Sequence, residues 1–267
     1  MVTLKSPREI EKMRRSGKIT SRVLTQLMQA VRPGMTTADI DEIAEREIRA
    51  GGGIPTFKGY NGFAASICAS VNDEVVHGIP GSRALREGDL LSIDIGTTLD
   101  GYVSDSAVTV PVGSISTEAR RLLDVTQQCL TAGIAQMQRG HHVGDIGAAV
   151  QAYAEGHGYG VVRELVGHGV GQAMHEEPQV PNYGEAGTGL ELRSGLVLAV
   201  EPMITQGGPK VKILKDGWTV VTADGKLAAH FEHTIAVTED GPKVLTLRDF
   251  AEDPAIEAYR PEAEAIV

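Results

Sequence analysis

The chain has 267 residues, of which 42% are hydrophobic, 22% charged and only 4% aromatic, and 32 are glycines. That is ordinary globular usage, so wholesale disorder is excluded, and aromatic platforms for stacking bases are scarce. Lys and Arg number 25 against 35 Asp and Glu, a net charge of −10 that argues against any general role in binding nucleic acid or an anionic membrane.

A helix is predicted over 7–31. Ser6 caps it, Pro7 suits its first position and Glu9 completes a capping box; Ile10, Met13, Gly17, Leu24, Leu27 and Met28 fall on one stripe. Arg32-Pro33-Gly34 stops it. A second helix begins after Thr36 or Thr37, runs to about 49, and ends at Gly51-Gly52-Gly53. Residues 63–76 and 89–112 read as extended, the latter as a hairpin turning near Leu99-Asp100-Gly101. Helices over 117–138 and 144–155 follow, then a strand over 161–166 and a Gly-rich loop over 167–189. Strands close the pattern at 196–205, 211–214, 218–222 and 229–238. Beyond Leu247 the chain is acidic and weakly patterned, which predicts a loosely structured tail on a single domain spanning 1–267. Cys68 and Cys129 are too few for a disulfide framework or a cysteine zinc site. No signal-peptide core and no run of 18 apolar residues is present, so a soluble, cytoplasmic protein is expected.

An internal repeat runs through these elements. Arg32-Pro33-Gly34 with Asp39-Ile40 is echoed by Gln138-Arg139-Gly140 with Asp145-Ile146, and Leu85-Arg86-Glu87-Gly88 by Leu192-Arg193-Ser194-Gly195. The offset is 106 to 107 throughout, and it carries Asp94, six residues past Gly88, onto Glu201, six past Gly195. Two related α/β halves are therefore expected, each delivering a carboxylate from an equivalent strand.

Taken singly, an Asp on a strand is more often a satisfied edge residue than a ligand. Here four converge: Asp94 and Glu201 end apolar runs, Asp105 lies across the hairpin from Asp94, and Glu232 sits in Ala228-Ala229-His230-Phe231-Glu232-His233. Buried together without a Lys or Arg they would repel strongly, and divalent metal is the simplest remedy. His168 is flanked by Gly167 and Gly169, which let the backbone approach closely and aim the ring. His175 and His77 are further candidates, whereas His141, His142 and His157 fall beside helix ends. His230 and His233 share a strand with Glu232 and serve either packing or contacts behind the ligands. Oxygen-rich ligation with one imidazole suits Mn, Fe(II), Co or Zn in pairs, holding a bridging hydroxide against a carbonyl or phosphoryl centre. The residues alone thus point to a metallohydrolase of open substrate.

Through VNDEVVHGIP (71–80), LLSIDIGTTLDGYVSDSAVT (90–109), GHGVGQAMHEEPQVPNYG (167–184), LVLAVEPMI (196–204) and HFEHTIAVT (230–238), the chain resembles the type I methionine aminopeptidases, in their short bacterial form. These belong to the pita-bread, or creatinase-like, metallopeptidases. The resemblance implies an α/β (α+β) fold of two pseudo-symmetric halves, an antiparallel sheet core flanked by helices. It implies five ligands to two divalent metal ions: Asp94, Asp105, His168, Glu201 and Glu232, with Asp105 and Glu232 bridging. It also implies that metal-bridged hydroxide attacks the carbonyl after Met, that His77 contacts the scissile amide nitrogen, that His175 stabilises the oxyanion and that Glu201 shuttles the proton. Phe57, Tyr60, Phe63, Cys68, Met174 and Trp218 would line the slot for the Met side chain. Phe57, Asn61 and Met174 depart from the family's usual residues, which implies a slot of its own shape. The implied task is removal of initiator Met from nascent chains with a small second residue, by a monomer working near the ribosome, with no direct nucleic-acid function and no membrane attachment. Two rivals share the fold. An Xaa-Pro aminopeptidase or dipeptidase usually carries a large N-terminal domain, and here about sixty residues precede the matched core. A catalytically inactive binding module would lack a ligand, and all five are present.

Overall fold

The computed structural model describes residues 2–248; residues 249–267, nearly all of the stretch expected to be a loose tail, lie outside the described residues. Arg248 itself is buried. Among the described residues four α-helices organise the fold: α1 Pro7–Ala30, α2 Thr37–Ala50, α3 Thr117–Ala135 and α4 Val143–Gly156. The capping box at α1 forms as expected, with the Ser6 N–H donating to Glu9 Oε2 at 2.8 Å. α1 lies against the Leu90–Leu99 and Tyr102–Pro111 hairpin and approaches it through small residues. The Ser16 hydroxyl donates to the Thr97 carbonyl at 2.7 Å, and Thr20 and Ser104 share a hydrogen bond of 2.8 Å. A methyl group at Gly17 would collide with the Leu245 carbonyl.

The repeat is a structural one. Asp39 and Asp145 each accept the N–H three residues earlier, Thr36 at 2.7 Å and His142 at 2.6 Å, so both cap the helix that follows. Gly34 N–H donates to the Leu85 carbonyl and Gly140 N–H to the Leu192 carbonyl, while Leu85 and Leu192 N–H return bonds of 2.7 Å to Met35 and His141. Gly88 and Gly195, at φ +92° and +93°, make the same left-handed turn into the two strand systems. The two α/β halves are therefore related contact by contact.

The first half centres on Leu90–Leu99, which pairs antiparallel with Ile67–Val71, Ile54–Pro55 and Tyr102–Pro111. The second is a five-stranded antiparallel sheet in the order Gly241–Val244, His233–Thr238, Val197–Val200, Gly167–Gly169, Glu176–Val180. A smaller sheet carries Ala228–His230, Met203–Thr205 and Gly160–Val161. Aliphatic side chains from the helices and both halves form one continuous core, Leu24, Ile40, Ile93, Leu122, Ile146 and Leu198 among them.

Four expectations are corrected. The strand expected over 161–166 is reduced to Gly160–Val161. The segment 167–189, expected to be a loop, contains the Gly167–Gly169 and Glu176–Val180 strands. Its glycines serve close packing: a Cβ at Gly167 would strike the Ala199 carbonyl and one at Gly169 the Glu177 carbonyl. The strands expected over 196–205 and 229–238 are each broken, at Glu201-Pro202 and at Phe231-Glu232, where the chain passes between the five-stranded sheet and the smaller one.

Candidate metal centre and substrate cavity

Both breaks hold a carboxylate. Val200 pairs with His233, so one further step of register brings Glu201 opposite Glu232. On the other hairpin Asp94 pairs with Ala107 and Gly96 with Asp105, which makes Asp94 and Asp105 diagonal neighbours. Hydrogen bonds sew the two systems together at this point. Glu232 N–H donates to the Ala107 carbonyl at 3.0 Å. Asp105 N–H donates to Thr234 Oγ1 at 2.9 Å, and the Thr234 hydroxyl donates to the Asp105 carbonyl at 2.8 Å. The Ser106 hydroxyl donates to the Glu232 carbonyl at 2.7 Å. Asp105 and Glu232 are thus held through their main-chain groups, which leaves their side chains free to face inward.

These side chains meet in a cavity of about 290 Å³. Asp94, Asp105, His168, Glu201 and Glu232 line one part of it, and His77 and His175 also border it. Phe57, Tyr60, Phe63, Cys68, Met174 and Trp218 form its apolar wall, with Phe63 and Trp218 edge to face at 5.1 Å. The structure brings together every site residue proposed from the sequence. His141, His142 and His157 lie elsewhere. Asn61, Val76, Leu165, Val166 and Met203 also line the cavity. Among these Asn61 is named through the resemblance, and Val76 and Met203 fall within its motifs.

Ligand atoms of Asp105, His168 and Glu232 lie within 4.8 Å of one another. His168 Nε2 stands 3.6 Å from Glu201 Oε1 and 3.8 Å from Asp105 Oδ2. The other nitrogen of His168, Nδ1, faces the Gly169 carbonyl at 2.9 Å; as donor there it leaves a lone pair on Nε2. Burial drives the carboxyls toward the neutral form: Asp94 rises to about 7 and Glu201 to about 8. Asp105 and Glu232 go well above the usual range, through burial first and the neighbouring carboxylates second. Burial, with His175 nearby, pulls His168 down to about 4, and burial, with His230 nearby, does the same to His77.

The donor set fits divalent metal on its own chemistry. Asp94 Oδ1, Asp105 Oδ1 and Glu232 Oε1 are buried without a hydrogen-bond partner among the described residues. No Lys or Arg is among the described residues lining the cavity. Four acidic groups with one imidazole lone pair need positive charge, and they offer it hard oxygen donors. Lewis-acid hydrolysis of a small substrate is what such a site can perform, with the apolar wall selecting the side chain.

The His175 ring stands at the mouth, 4.2 Å between centroids from His168, and its Nδ1 shares a 2.7 Å hydrogen bond with Tyr60 Oη. Behind it Lys5 Nζ pairs with Glu176 Oε2 at 2.6 Å, in a bridge whose Lys side chain is 3% exposed. That bridge ties the chain before α1 to the Glu176–Val180 strand, and nothing in residue spacing indicates it.

Residues 11–239 match metallopeptidase family M24. Methionine aminopeptidase 1 of Bacillus subtilis (strain 168) is 52% identical over 246 residues, covering 92% of this chain and 99% of that protein. The crystal structure of the methionine aminopeptidase from Thermotoga maritima superposes with a TM-score of 0.91 at 42% identity, over 93% of this chain and 100% of that one. The prolidase from Pyrococcus furiosus gives a TM-score of 0.75 at 20% identity, over 92% of this chain and 66% of that one, a likeness of fold alone.

Proposed function

Because the chain belongs to metallopeptidase family M24, we infer that it is a metal-dependent methionine aminopeptidase, which releases the N-terminal Met of polypeptides whose second residue is small. The observation that carries this reading is the cavity, in which a carboxylate cluster adjoins an apolar wall of aromatic and sulfur side chains.

In this reading Asp94, Asp105, His168, Glu201 and Glu232, which face one cavity, would hold the divalent metal. When bound, the metal supplies Lewis acidity and lowers the pKa of water, so that a nucleophile is available near neutral pH. Phe57, Phe63, Cys68, Met174 and Trp218 receive the Met side chain, whose flexible thioether suits walls of ring and sulfur. His77 donates toward the scissile amide. Tyr60 Oη–H donates to His175 Nδ1, which leaves Nε2–H of His175 as the donor to the developing oxyanion. Glu201 takes a proton at its carboxylate and passes it to the departing amine.

Substrates of this kind arise as new chains leave the ribosome, which favours a monomeric cytoplasmic enzyme acting there as one catalytic domain. No helix of the described residues is long and apolar enough to cross a membrane. The test is hydrolysis of Met-Ala-Ser and Leu-Pro-Ser by chelator-stripped protein resupplied with Mn or Co. Metal-dependent release of Met from the first alone is expected. Cleavage of the second alone moves the assignment to proline-specific chemistry. Turnover of neither, with metal bound, makes the protein a binding module.

A further inference from the structure

One imidazole beside the cavity has no role in this scheme. His230 ends the Ala228–His230 strand at 1% exposure, and neither of its nitrogens has a hydrogen-bond partner among the described residues. Its placement is nonetheless tightly determined. Thr109 Oγ1 accepts the His230 N–H at 2.8 Å and donates to the His230 carbonyl at 2.9 Å, and it shares a third bond of 2.8 Å with Ser92. Across the strand pair His230 stands opposite Met203, so both side chains leave the same face, and Met203 lines the cavity.

The two oxygens of Glu201 are divided between two rings. Oε1 lies 3.6 Å from His168 Nε2, the nitrogen left with a lone pair by the bond at Nδ1. A lone pair and a carboxylate oxygen at that separation are two donors to a common cation. Oε2 lies 3.6 Å from His230 Nε2, longer than a hydrogen bond by about 0.7 Å. A neutral imidazole has one N–H and one lone pair, and a buried N–H is the dearer of the two to leave unmatched. A carboxylate oxygen facing Nε2 draws the proton to that nitrogen.

We propose that His230 is a positioning residue for Glu201, its Nε2–H directed at Oε2 so that Oε1 faces the metal together with His168. The proposal rests on the metallopeptidase reading and deepens it. His230 sets which oxygen of Glu201 binds and where the other waits for a proton. It is not itself a metal donor.

Two substitutions test this. His230→Gln keeps an N–H at similar reach without an imidazole, and His230→Leu removes the donor at similar volume. Mn affinity of the stripped proteins is measured by calorimetry, kcat and KM on Met-Ala-Ser, and the number of coupled imidazole nitrogens by electron spin echo spectroscopy of bound Mn. H230L is expected to bind Mn about tenfold more weakly and to lose about tenfold in kcat, with KM changed by less than about threefold. H230Q is expected to return both to within about threefold of the parent, and all three proteins to show one imidazole, that of His168. An H230L protein equal to the parent in affinity and kcat overturns the proposal. So does a second imidazole in the parent that both variants lose, since His230 would then be a ligand. If the parent binds Mn without cleaving Met-Ala-Ser, the aminopeptidase reading fails, while the affinities and spectra still decide the part played by His230.

Discussion

Removing metal should make this protein lose stability as pH rises from 6.5 to 8, a window set by the groups in the cavity. Burial raises Glu201 from 4.5 to about 8, and burial with the neighbouring carboxylates pushes Asp105 and Glu232 well above the usual carboxylate range. Each of these carboxyls keeps its proton in the folded chain at a pH where the unfolded chain has lost it. The folded state then binds more protons, so stability falls with rising pH until the folded pKa is passed. The buried histidines act with the opposite sign, but lower on the scale. His77 and His168 fall from 6.5 to about 4, so the unfolded chain binds the extra proton only below about 6.5, where stability climbs with pH and then levels. Above that point the opposition from these rings fades to about 0.4 kcal/mol each across the window, and the site carboxyls set the sign.

A single carboxyl that stays protonated across 1.5 pH units loses about 2 kcal/mol of folding free energy, at about 1.4 kcal/mol per unit. Glu201, half titrated at the upper end of the window, contributes somewhat less than that, about 1.6 kcal/mol, and Asp105 and Glu232 steepen the fall. In a chain of this length about 2 kcal/mol corresponds to roughly 4–8 °C in Tm. The assay is calorimetric melting in chelator at pH 6.5 and 8.0, repeated with Mn. The metal-free protein should lose at least about 4 °C between the two. With metal bound the cation replaces the protons, and the difference should shrink markedly. Glu232→Gln deletes one carboxyl from the set, so at pH 8 without metal it should melt above the parent while losing activity. A metal-free Tm that is flat or rising from pH 6.5 to 8 refutes the reasoning.

Three further outcomes follow from single contacts. Tyr60→Phe removes the 2.7 Å partner of His175 Nδ1; kcat on Met-Ala-Ser should fall about tenfold at nearly constant KM, and an unchanged kcat would end the orienting role of Tyr60. Lys5→Met strands Glu176 in the bridge that ties the N-terminal segment to the Glu176–Val180 strand. Urea unfolding should show a loss of about 3 kcal/mol that Lys5→Met with Glu176→Gln largely recovers, and a double variant no better than the single would contradict the pairing. Gly169→Ala drives a methyl into the Glu177 carbonyl; a loss of at least about 2 kcal/mol in urea unfolding and weaker Mn binding are expected, because His168 is the adjacent residue.

Sequence and structure part company where side-chain alternation stops being informative. The helices were legible because capping and periodicity are local: Ser6 with Glu9, and the stripe from Ile10 to Leu27, depend on nothing distant. The ligand candidates were legible because a carboxylate at the end of an apolar run has few inexpensive explanations. The Gly167–Gly169 strand was not, since glycine normally signals a turn; here the reason for glycine is the Ala199 and Glu177 carbonyls, which come from strands distant in sequence or packed across the ladder. The breaks at Glu201-Pro202 and Phe231-Glu232 were equally hidden, because an unbroken apolar run on either side reads as one strand. Yet those breaks make the site. In an uninterrupted strand Glu201 would be fixed to one face by the ladder, with its neighbours alternating around it. Where the chain changes sheets, the Glu232 N–H donating to the Ala107 carbonyl and the Ser106 hydroxyl donating to the Glu232 carbonyl hold the Glu232 segment, and Thr109 holds His230. The two acidic side chains can then turn toward Asp94 and Asp105 from the other half. A pattern of residues can nominate the donors, but their convergence depends on two sheets ending at the same place.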